Sequence, residues 1–347
     1  ISFKALEKIT VEGEVLDASG QLVTDFTGIV NPTVKDSKVT VTCLKNSNKD
    51  DSPAFTFTDY PNTIFIGNDS VRNGKFSFTF TVPKDISYSN LQGKMNLYAV
   101  DTESGNEAQG NFDNFIVGGT SDTAETDTIG PEIRALYLND TTFVDGGQVN
   151  TTPYFVAELW DKSGVNITGS SVGHDMMLVI DESTVLSYNL NSYYELLPGE
   201  DGTGIVKFPI PALEPGKHTA EFWVWDILNN STVRTFTFEV VEGLKPFLFD
   251  VIATPGIARE QVTFHLMHNR PESRMRVGIM VYDLAGRQLW KHEESGTSGL
   301  FENYTVSWDL TSGGARMRPG VYIYRAAIST DNSKDATKAR KFIILGE

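Results

Sequence analysis

The sequence contains a single cysteine, Cys43, so it can form neither an intrachain disulfide nor a Cys-X-X-Cys metal site. It has no apolar run of about 18 residues or more, and so offers no candidate transmembrane helix. The first four residues, Ile1–Lys4, lack the basic and apolar regions of a signal peptide, which favours a mature piece or an excised fragment. A soluble fold stabilised by packed cores alone is therefore expected.

Basic residues are scarce, with 29 Lys and Arg against 45 Asp and Glu, and the net charge is −16. This balance excludes a non-specific nucleic-acid binder, because phosphate contacts need clustered basic side chains. The charge is uneven: residues 1–119 carry −5, residues 120–243 carry −14, and residues 244–347 carry +3. The mildly basic last segment differs from the rest in the partners that it can attract.

The composition includes 30 glycines and 11% aromatic residues, without the Ala/Glu/Leu/Lys-rich tracts typical of helices. Apolar residues alternate with polar ones in many short segments, such as Phe76–Val82 and Met95–Val100, and this period predicts half-buried strands. The polar, acidic stretch after Gly119 indicates a linker. We predict an all-β fold of three tandem Ig-like β-sandwich modules at 1–119, 132–243 and 244–347, with a linker at 120–131.

Side chains for catalysis are sparse. Cys43 shares strand parity with Val39 and Val41, which predicts a small buried core residue rather than a nucleophile. No pair of the five histidines has zinc-site spacing, and His174 beside Asp175 is interpreted as ordering a loop. We therefore expect no catalytic residue in this chain.

Two further patterns leave alternatives open. The aspartate-rich turns at 161–164, 201–204 and 226–230 could supply oxygen ligands for calcium, but Asx turns use the same residues for local hydrogen bonds. No cofactor is expected, with structural calcium as the alternative. Trp160, Trp223 and Trp225 could form a sugar-stacking platform, although cross-strand packing explains the same residues and is favoured.

Eleven short motifs are distributed along nearly the whole chain. They are Val11–Gly20, Asp25–Val30, Val82–Ser89, Asn96–Asp101, Glu107–Gly110, Gly173–Asp181, Phe222–Ser231, Tyr282–Arg287, Trp308–Asp309, Pro319–Arg325 and Lys341–Ile344. Together these motifs resemble the PorU-type sortases, which are gingipain-like (C25) cysteine peptidases of the type IX secretion system. The likeness corresponds to the region C-terminal to the catalytic domain, and the last module is similar to the type IX C-terminal domain.

The resemblance implies a non-catalytic region that positions an upstream peptidase and docks it on secretion or attachment proteins of the outer membrane. It implies protein cargo handled by that peptidase, export through the periplasm and a place at the cell surface. The catalytic His and Cys of the family would precede Ile1, so no catalytic role is assigned to this chain. The alternative is a cell-surface adhesin or glycan-binding protein of tandem Ig-like modules.

The candidate docking residues are Arg287, Arg316, Arg318 and Arg325, which lie near two turns of the only module with positive charge. Arginine suits bidentate contact with carboxylates, so an acidic partner is expected. The competing interpretation is local pairing with Asp283, Glu293 and Asp309, since surface ion pairs are common. In the linker, Asp122–Ala124 and Asp127–Ile129 resemble acceptor motifs for O-glycosylation.

Overall fold

The computed structural model describes residues 1–45, 53–122, 127–169, 173–197, 202–330 and 332–346. Over these residues the regular elements are β-strands, apart from one short 3-10 turn at Asn191–Tyr193. The predicted all-β class is confirmed. No helix in the described part of the chain is long and apolar enough to cross a membrane. Some predicted motifs extend outside the described residues. These are Asp201 of the predicted turn at 201–204, and Thr123 and Ala124 of the predicted glycosylation motif at 122–124.

The strands are numbered in chain order. Those of the first 120 residues are β1 (Ser2–Ala5), β2 (Lys8–Glu14), β3 (Gly28–Lys35), β4 (Val39–Thr42), β5 (Thr56–Asp59), β6 (Thr63–Ile66), β7 (Asp69–Val71), β8 (Lys75–Thr81), β9 (Leu91–Gln92), β10 (Lys94–Asp101), β11 (Glu107–Phe112) and β12 (Ile116–Thr120). They form the sheets β11-β10-β3-β6, with β7 also on β3, and β1-β12-β9, together with the pairs β2-β8 and β4-β5.

The next strands lie between residues 132 and 240. They are β13 (Glu132–Leu138), β14 (Gln148–Val149), β15 (Tyr154–Trp160), β16 (Met177–Ile180), β17 (Ser187–Asn189), β18 (Tyr194–Leu196), β19 (Thr203–Pro209), β20 (Gly216–Trp225) and β21 (Ser231–Val240). Their order is β13-β15-β19-β18 in one sheet and β14-β21-β20-β16-β17 in the other.

The remaining strands follow residue 247. They are β22 (Leu248–Thr254), β23 (Ile257–Ala258), β24 (Val262–His268), β25 (Met275–Tyr282), β26 (Gln288–Gly296), β27 (Tyr304–Trp308), β28 (Thr311–Ser312), β29 (Ala315–Arg316), β30 (Gly320–Ser329) and β31 (Ala336–Ile344). They form the sheets β22-β24-β27 and β23-β31-β30-β25-β26 and a small hairpin, β28-β29.

Contacts between Cα atoms divide the chain into two compact units. Unit 1 comprises Ile1–Leu136, Ala157–Lys207 and Thr219–Phe236, and unit 2 comprises Tyr137–Val156, Phe208–His218 and Thr237–Glu347. The three predicted modules and their bounds remain a prediction.

In unit 1, alternation along β8 packs every second residue into a core. Phe76, Phe78 and Phe80 are buried while the threonines and serine between them face outward. The same cluster includes Val30 and Val34 of β3 and residues of β1, β10 and β12. Such period-two burial is what the alternating sequence of Phe76–Val82 predicts.

In unit 2, two sheets enclose one core. Val251, Phe264 and Val306 reach it from β22, β24 and β27, and Ile279 and Tyr324 reach it from the five-stranded sheet. The buried Tyr324 hydroxyl donates to the carbonyl of Val251, 3.0 Å away. Side chains of opposite parity on the five-stranded sheet are therefore left on its outer face.

Candidate functional site

The outer face of the five-stranded sheet in unit 2 carries a groove of about 180 Å³. Strand β25 buries Met275, Val277, Ile279 and Val281, so alternation turns the residues between them outward. The groove is lined by Arg276, Gly278, Met280, Lys291, Glu293, Arg325, Ala327, Ile328, Ser329, Asp335 and Thr337.

Strand register brings the lining together from distant parts of the sequence. Met280 lies between Arg325 of β30 and Lys291 of β26. Gly278, one position along the same face, lies between Ala327 and Glu293. Small residues therefore form the floor, and longer basic side chains form the walls.

Gly278 is a glycine that neither the backbone nor the packing requires. A Cβ atom added there would meet Glu293 Cγ at 3.7 Å, an ordinary contact, and its φ angle lies outside the left-handed region. Gly278 therefore leaves unoccupied a place on the floor of the groove that a small side chain could fill.

Three basic and two acidic side chains line the groove. The basic residues are Arg276, Lys291 and Arg325, and the acidic residues are Glu293 and Asp335. The Lys291 ammonium lies 2.8 Å from Glu293 and, by its hydrogen bond and charge, lowers the pKa of that carboxyl; Arg276 adds to the effect. Arg276 donates to the Ser329 hydroxyl at 3.1 Å. Among the described residues, Arg325 has no carboxylate partner and is exposed. This arrangement can bind a carboxylate in a charge-assisted contact.

Of the four arginines predicted from sequence, only Arg325 lines the groove. Arg287 lies at the β25–β26 turn and pairs with Asp283 at 3.1 Å, as the competing interpretation predicted for that pair. Arg316 is on β29 and donates to the carbonyl of Arg259. Arg318 precedes the turn into β30, and its carbonyl accepts a hydrogen bond from the Tyr322 hydroxyl.

Sequence reasoning missed Arg276 and Lys291. The alternation of Met275, Val277 and Ile279 could have placed Arg276 on the outer face. The position of Lys291 depends on pairing between β25 and β26, which alternation within one strand does not specify.

In unit 1, three carboxylates meet: oxygens of Asp127, Asp161 and Asp226 lie within 4.8 Å of one another. Burial is the main cause that raises the pKa of Asp161 to about 6, and the neighbouring carboxylates add to the rise. The hydrogen bonds that Asp161 accepts from Ser163 and Gly164 lower its pKa and offset only part of this rise. Burial also raises the pKa of Asp226. Carboxylate oxygens at this spacing could hold a hard cation such as calcium. The predicted turns at 161–164 and 226–230 thus converge.

The prediction of a buried Cys43 is wrong, because the residue is exposed. Its parity with Val39 and Val41 is as predicted, since it follows the end of β4 and its N–H donates to the carbonyl of Phe55 at 2.9 Å. In the described part of the chain β4 and β5 pair only with each other, and both Cys43 and the opposing Phe55 are exposed.

The three tryptophans are half-buried. Trp160 lies under the guanidinium of Arg134, 4.9 Å from its ring centre. Trp223 donates to Glu221, and Trp225 packs against His174 with ring centres 4.5 Å apart. They make local contacts and are not the exposed platform that the adhesin alternative needs.

His174 does contact a carboxylate, but it is Asp85 and not its neighbour Asp175. Its Nδ1 lies 2.6 Å from Asp85 Oδ2. The same buried Asp85 accepts from Asn166 and Asn229, while Asp175 accepts from the side chain of Asn191. His174 is thus held in a polar network within unit 1.

No family model matches the chain, and no curated protein matches it. Among solved structures, dimeric latent PorU from Porphyromonas gingivalis is 38% identical over 100% of this chain and 32% of its own, with a TM-score of 0.41. The Ig1-2 module of the Drosophila receptor tyrosine phosphatase DLAR is 9% identical over 63% of this chain and 100% of its own, with a TM-score of 0.25. The FN1–FN3 domains of chicken CNTN1 are 8% identical over 99% of this chain and 96% of their own, with a TM-score of 0.22.

The two animal proteins are too distant to support a conclusion about this chain. The identity to PorU is much higher, because 38% of the residues are the same along the entire chain. It confirms the resemblance found in the sequence motifs. The chain therefore belongs to the PorU-type family, and it spans about a third of the length of its P. gingivalis relative.

Proposed function

We propose that this chain is the non-catalytic β-sandwich region of a PorU-type cell-surface sortase of the type IX secretion system. In this role it positions a peptidase domain and docks it on an acidic partner of the secretion or attachment machinery at the outer membrane. The observation that carries the docking role is the groove on the five-stranded sheet, where Arg276 and Arg325 flank an open floor at Gly278.

The positioning role needs β-sandwich segments held firmly to their neighbours. Within unit 1, the buried carboxylate of Asp85 forms hydrogen bonds with Asn166, His174 and Asn229. These residues lie 81 to 144 positions further along the chain. The adjacent Lys84 N–H donates to the carbonyl of Ile227 at 2.8 Å. Such contacts limit relative motion of the segments that they join, which suits a spacer.

Charge supports an acidic partner. Residues 244–347 hold 14 basic and 11 acidic side chains, in a chain that is otherwise strongly acidic. A carboxylate-rich surface is repelled by most of the molecule and attracted to the groove, and salt would weaken that attraction.

The docking proposal is tested with a fluorescent hexaglutamate peptide, whose anisotropy reports binding to the chain. The double variant Arg276→Glu/Arg325→Glu should lose at least about tenfold in affinity, because two attractive charges become repulsive. The matched control Arg316→Glu/Arg318→Glu makes the same charge change outside the groove and should bind within about twofold of the unchanged chain. Equal losses in both variants would show that only net charge matters and would contradict the groove.

The adhesin alternative has no supporting observation among the described residues. Its three tryptophans are half-buried and engaged by Arg134, Glu221 and His174. The docking function is therefore preferred.

A further inference from the structure

A cleft of about 180 Å³ lies in unit 2 and shares no lining residue with the groove on the five-stranded sheet. Its walls come from the end of β13 and the turn after it, from β22 and β24, and from the segment between β26 and β27. Aromatic rings and carboxylates both line the cleft, and these two kinds of group suit different parts of one ligand.

Two phenylalanine rings line the cleft because of local irregularities in the backbone. The register of β22 and β24 shifts between Leu248 and Asp250, which makes Phe249 the extra residue of a β-bulge. A bulge turns a side chain away from the regular alternation. Phe301 has a φ of 66°, in the left-handed region that a bulky residue avoids, and it is 71% exposed. An exposed ring in an unfavourable backbone conformation contributes little to the fold, so Phe301 is available to a ligand.

Three carboxylates lie in or beside the cleft. Asp140 lines it and accepts hydrogen bonds from the N–H and hydroxyl of Thr142, which fix its orientation. An atom at the Cβ position of Gly299 would lie 3.0 Å from Glu302 Oε2 and 3.5 Å from Glu272 Oε1, so these two carboxylates flank the glycine. In the described part of the chain, neither glutamate forms an ion pair with a lysine or arginine. A cation that enters the cleft therefore meets negative charge that is not yet neutralised.

The buried cation Arg270 interacts with Asp140 but belongs to the fold. Arg270 is 1% exposed, and its guanidinium donates to the carbonyls of Leu244 and Lys245 at 3.1 and 3.3 Å. Burial lowers the pKa of Arg270 to about 10, and the charge of Asp140 opposes this shift. Arg270 therefore balances at most Asp140, and the two glutamates keep the cleft negative.

The histidine that lines the cleft has a structural arrangement and not a catalytic one. His268 Nδ1 accepts the N–H of Arg270, so Nε2 carries the proton and donates to the Ser298 hydroxyl, 2.9 Å away. A histidine that activates a serine nucleophile must instead accept the proton of the hydroxyl. The arrangement of these groups therefore favours binding of a ligand over its chemical conversion.

We infer that the cleft binds an arginine side chain of a partner protein. A guanidinium pairs with carboxylates and stacks on aromatic faces, which are the two kinds of group that the cleft presents. The apolar stem of the arginine lies against Met267, which lines the cleft and is 38% exposed. Because the groove attracts carboxylates, the cleft makes unit 2 selective for a partner surface that carries both charges in a fixed arrangement. The inference goes beyond the proposed docking function and does not depend on the groove.

Methionine methyl NMR of the 347-residue chain provides the test, because Met267 lines the cleft and Met280 lines the groove. Their signals are assigned with Met267→Leu and Met280→Leu. The probe is a capped pentapeptide with one arginine between glycines, and its control contains citrulline, which has nearly the same shape without the charge. The arginine peptide should shift the Met267 signal in a saturable way and leave the Met280 signal in place. The citrulline peptide should bind at least about fivefold more weakly.

Removing charge from the cleft should have the same effect as removing it from the peptide. Asp140→Asn/Glu302→Gln keeps an acceptor oxygen at both positions and should weaken binding of the arginine peptide at least about fivefold. The control Glu242→Gln/Glu260→Gln removes two exposed carboxylates of unit 2 that do not line the cleft. It should leave the affinity within about twofold of that of the unchanged chain. Thermal melting establishes that each variant is folded.

Phe301→Asn separates a binding role from a structural one. Asparagine tolerates the left-handed region, so the variant should melt no earlier than the unchanged chain. Its affinity for the arginine peptide should fall at least about threefold, because an aromatic face is lost. A lower melting temperature with unchanged affinity would assign Phe301 to the fold and contradict the inference.

Equal binding of the arginine and citrulline peptides overturns the inference, as does a Met267 signal that neither peptide shifts. This comparison uses the unchanged chain, so it stays decisive if a variant fails to fold. Hexaglutamate should shift only the Met280 signal. Loss of that response with an intact Met267 response would contradict the groove alone, and the reverse result would contradict the cleft alone.

Discussion

Two titratable residues, the buried Asp161 and the half-buried His268, should respond to acid in opposite directions, because burial disfavours the charged form of each. His268 becomes charged on gaining a proton, whereas Asp161 becomes neutral. Burial and the nearby Arg270 lower the pKa of His268 to about 4, while burial raises that of Asp161 to about 6. The first group lies in unit 2 and the second in unit 1.

Acid should destabilise unit 2 through His268. Its Nδ1 accepts the N–H of Arg270 at 3.1 Å, and Nε2 lies 2.9 Å from the Ser298 hydroxyl, which suits a neutral ring. The unfolded histidine binds a proton near pH 6.5 and the folded one only near pH 4. The contribution of the neutral His268 to the free energy of unfolding is therefore fully present above about pH 6.5. It decreases by on the order of 2 kcal/mol as the pH falls toward 4.

His268→Gln should reduce this decline, since glutamine can hydrogen-bond but does not titrate. Thermal melting of both proteins between pH 7 and pH 4.5 measures the difference. Parallel melting curves across that range would mean that His268 makes no such contribution.

Asp161 should have the opposite effect on unit 1. The pKa of the Asp161 carboxyl is about 6 in the folded protein and 3.8 in the unfolded chain. The folded state therefore binds a proton more readily, and this group increases the free energy of unfolding as the pH falls from about 6 toward 4. Asp161→Asn still accepts from the N–H groups of Ser163 and Gly164 and removes the buried charge. At pH 7.5, with a chelator present, the variant should be more stable by on the order of 1 kcal/mol. Urea unfolding checks this, and a less stable variant would contradict it.

Cys43 shows what sequence pattern can establish at the residue scale. Alternation correctly grouped it with Val39 and Val41 on one face. Alternation identifies residues that share a face but not whether another sheet covers that face. Burial was therefore predicted wrongly for a residue whose orientation was predicted correctly.

At the scale of strands, regular alternation predicted position well. The predicted strands Phe76–Val82 and Met95–Val100 correspond to β8 (Lys75–Thr81) and β10 (Lys94–Asp101) to within one residue at each end. Val321, Ile323 and Arg325 share the outer face of β30, which lies between β25 and β31. These segments carry their signal within a few consecutive residues.

Strand β3 was missed although it is central to its sheet, because proline is rare in central strands. One edge of β3 pairs continuously with β10. On the other edge, β7 pairs with Gly28–Val30 and β6 with Thr33–Lys35. Pro32 falls in the gap between these two partners, where no ladder N–H is needed. The arrangement of three other strands makes this proline acceptable, and no local pattern reveals it.

Two strand glycines should differ sharply on substitution by alanine. At Gly28, an added Cβ would lie 1.9 Å from the carbonyl oxygen of Val100, so backbone must move. At Gly278 the nearest atom would be Glu293 Cγ at 3.7 Å. Gly28→Ala should lower stability by at least about 2 kcal/mol and Gly278→Ala by less than about 0.5 kcal/mol.

Urea unfolding of the two variants, followed by intrinsic fluorescence, measures both effects. Equal destabilisation would mean that Gly278 is needed for the fold rather than for an open groove. That result would remove one support of the docking proposal.

For the whole molecule, family and fold class were accessible from the sequence, whereas the composition of the sites was not. Arg325 was identified from its module, but Arg276 and Lys291 join it only through the register of β25, β26 and β30. Asp127 likewise meets Asp161 and Asp226 only in the folded chain. Pairings between distant segments depend on tertiary packing, and one sequence shows no local sign of them.

The most direct test of the central claim is made in cells that carry the complete PorU-type protein containing this region. Surface retention of the protein with Arg276→Glu/Arg325→Glu is compared with that of the unchanged protein and of Arg316→Glu/Arg318→Glu. Docking through the groove predicts a loss of retention in the first variant alone, with total protein unchanged. Full retention of a folded Arg276→Glu/Arg325→Glu protein would contradict the claim.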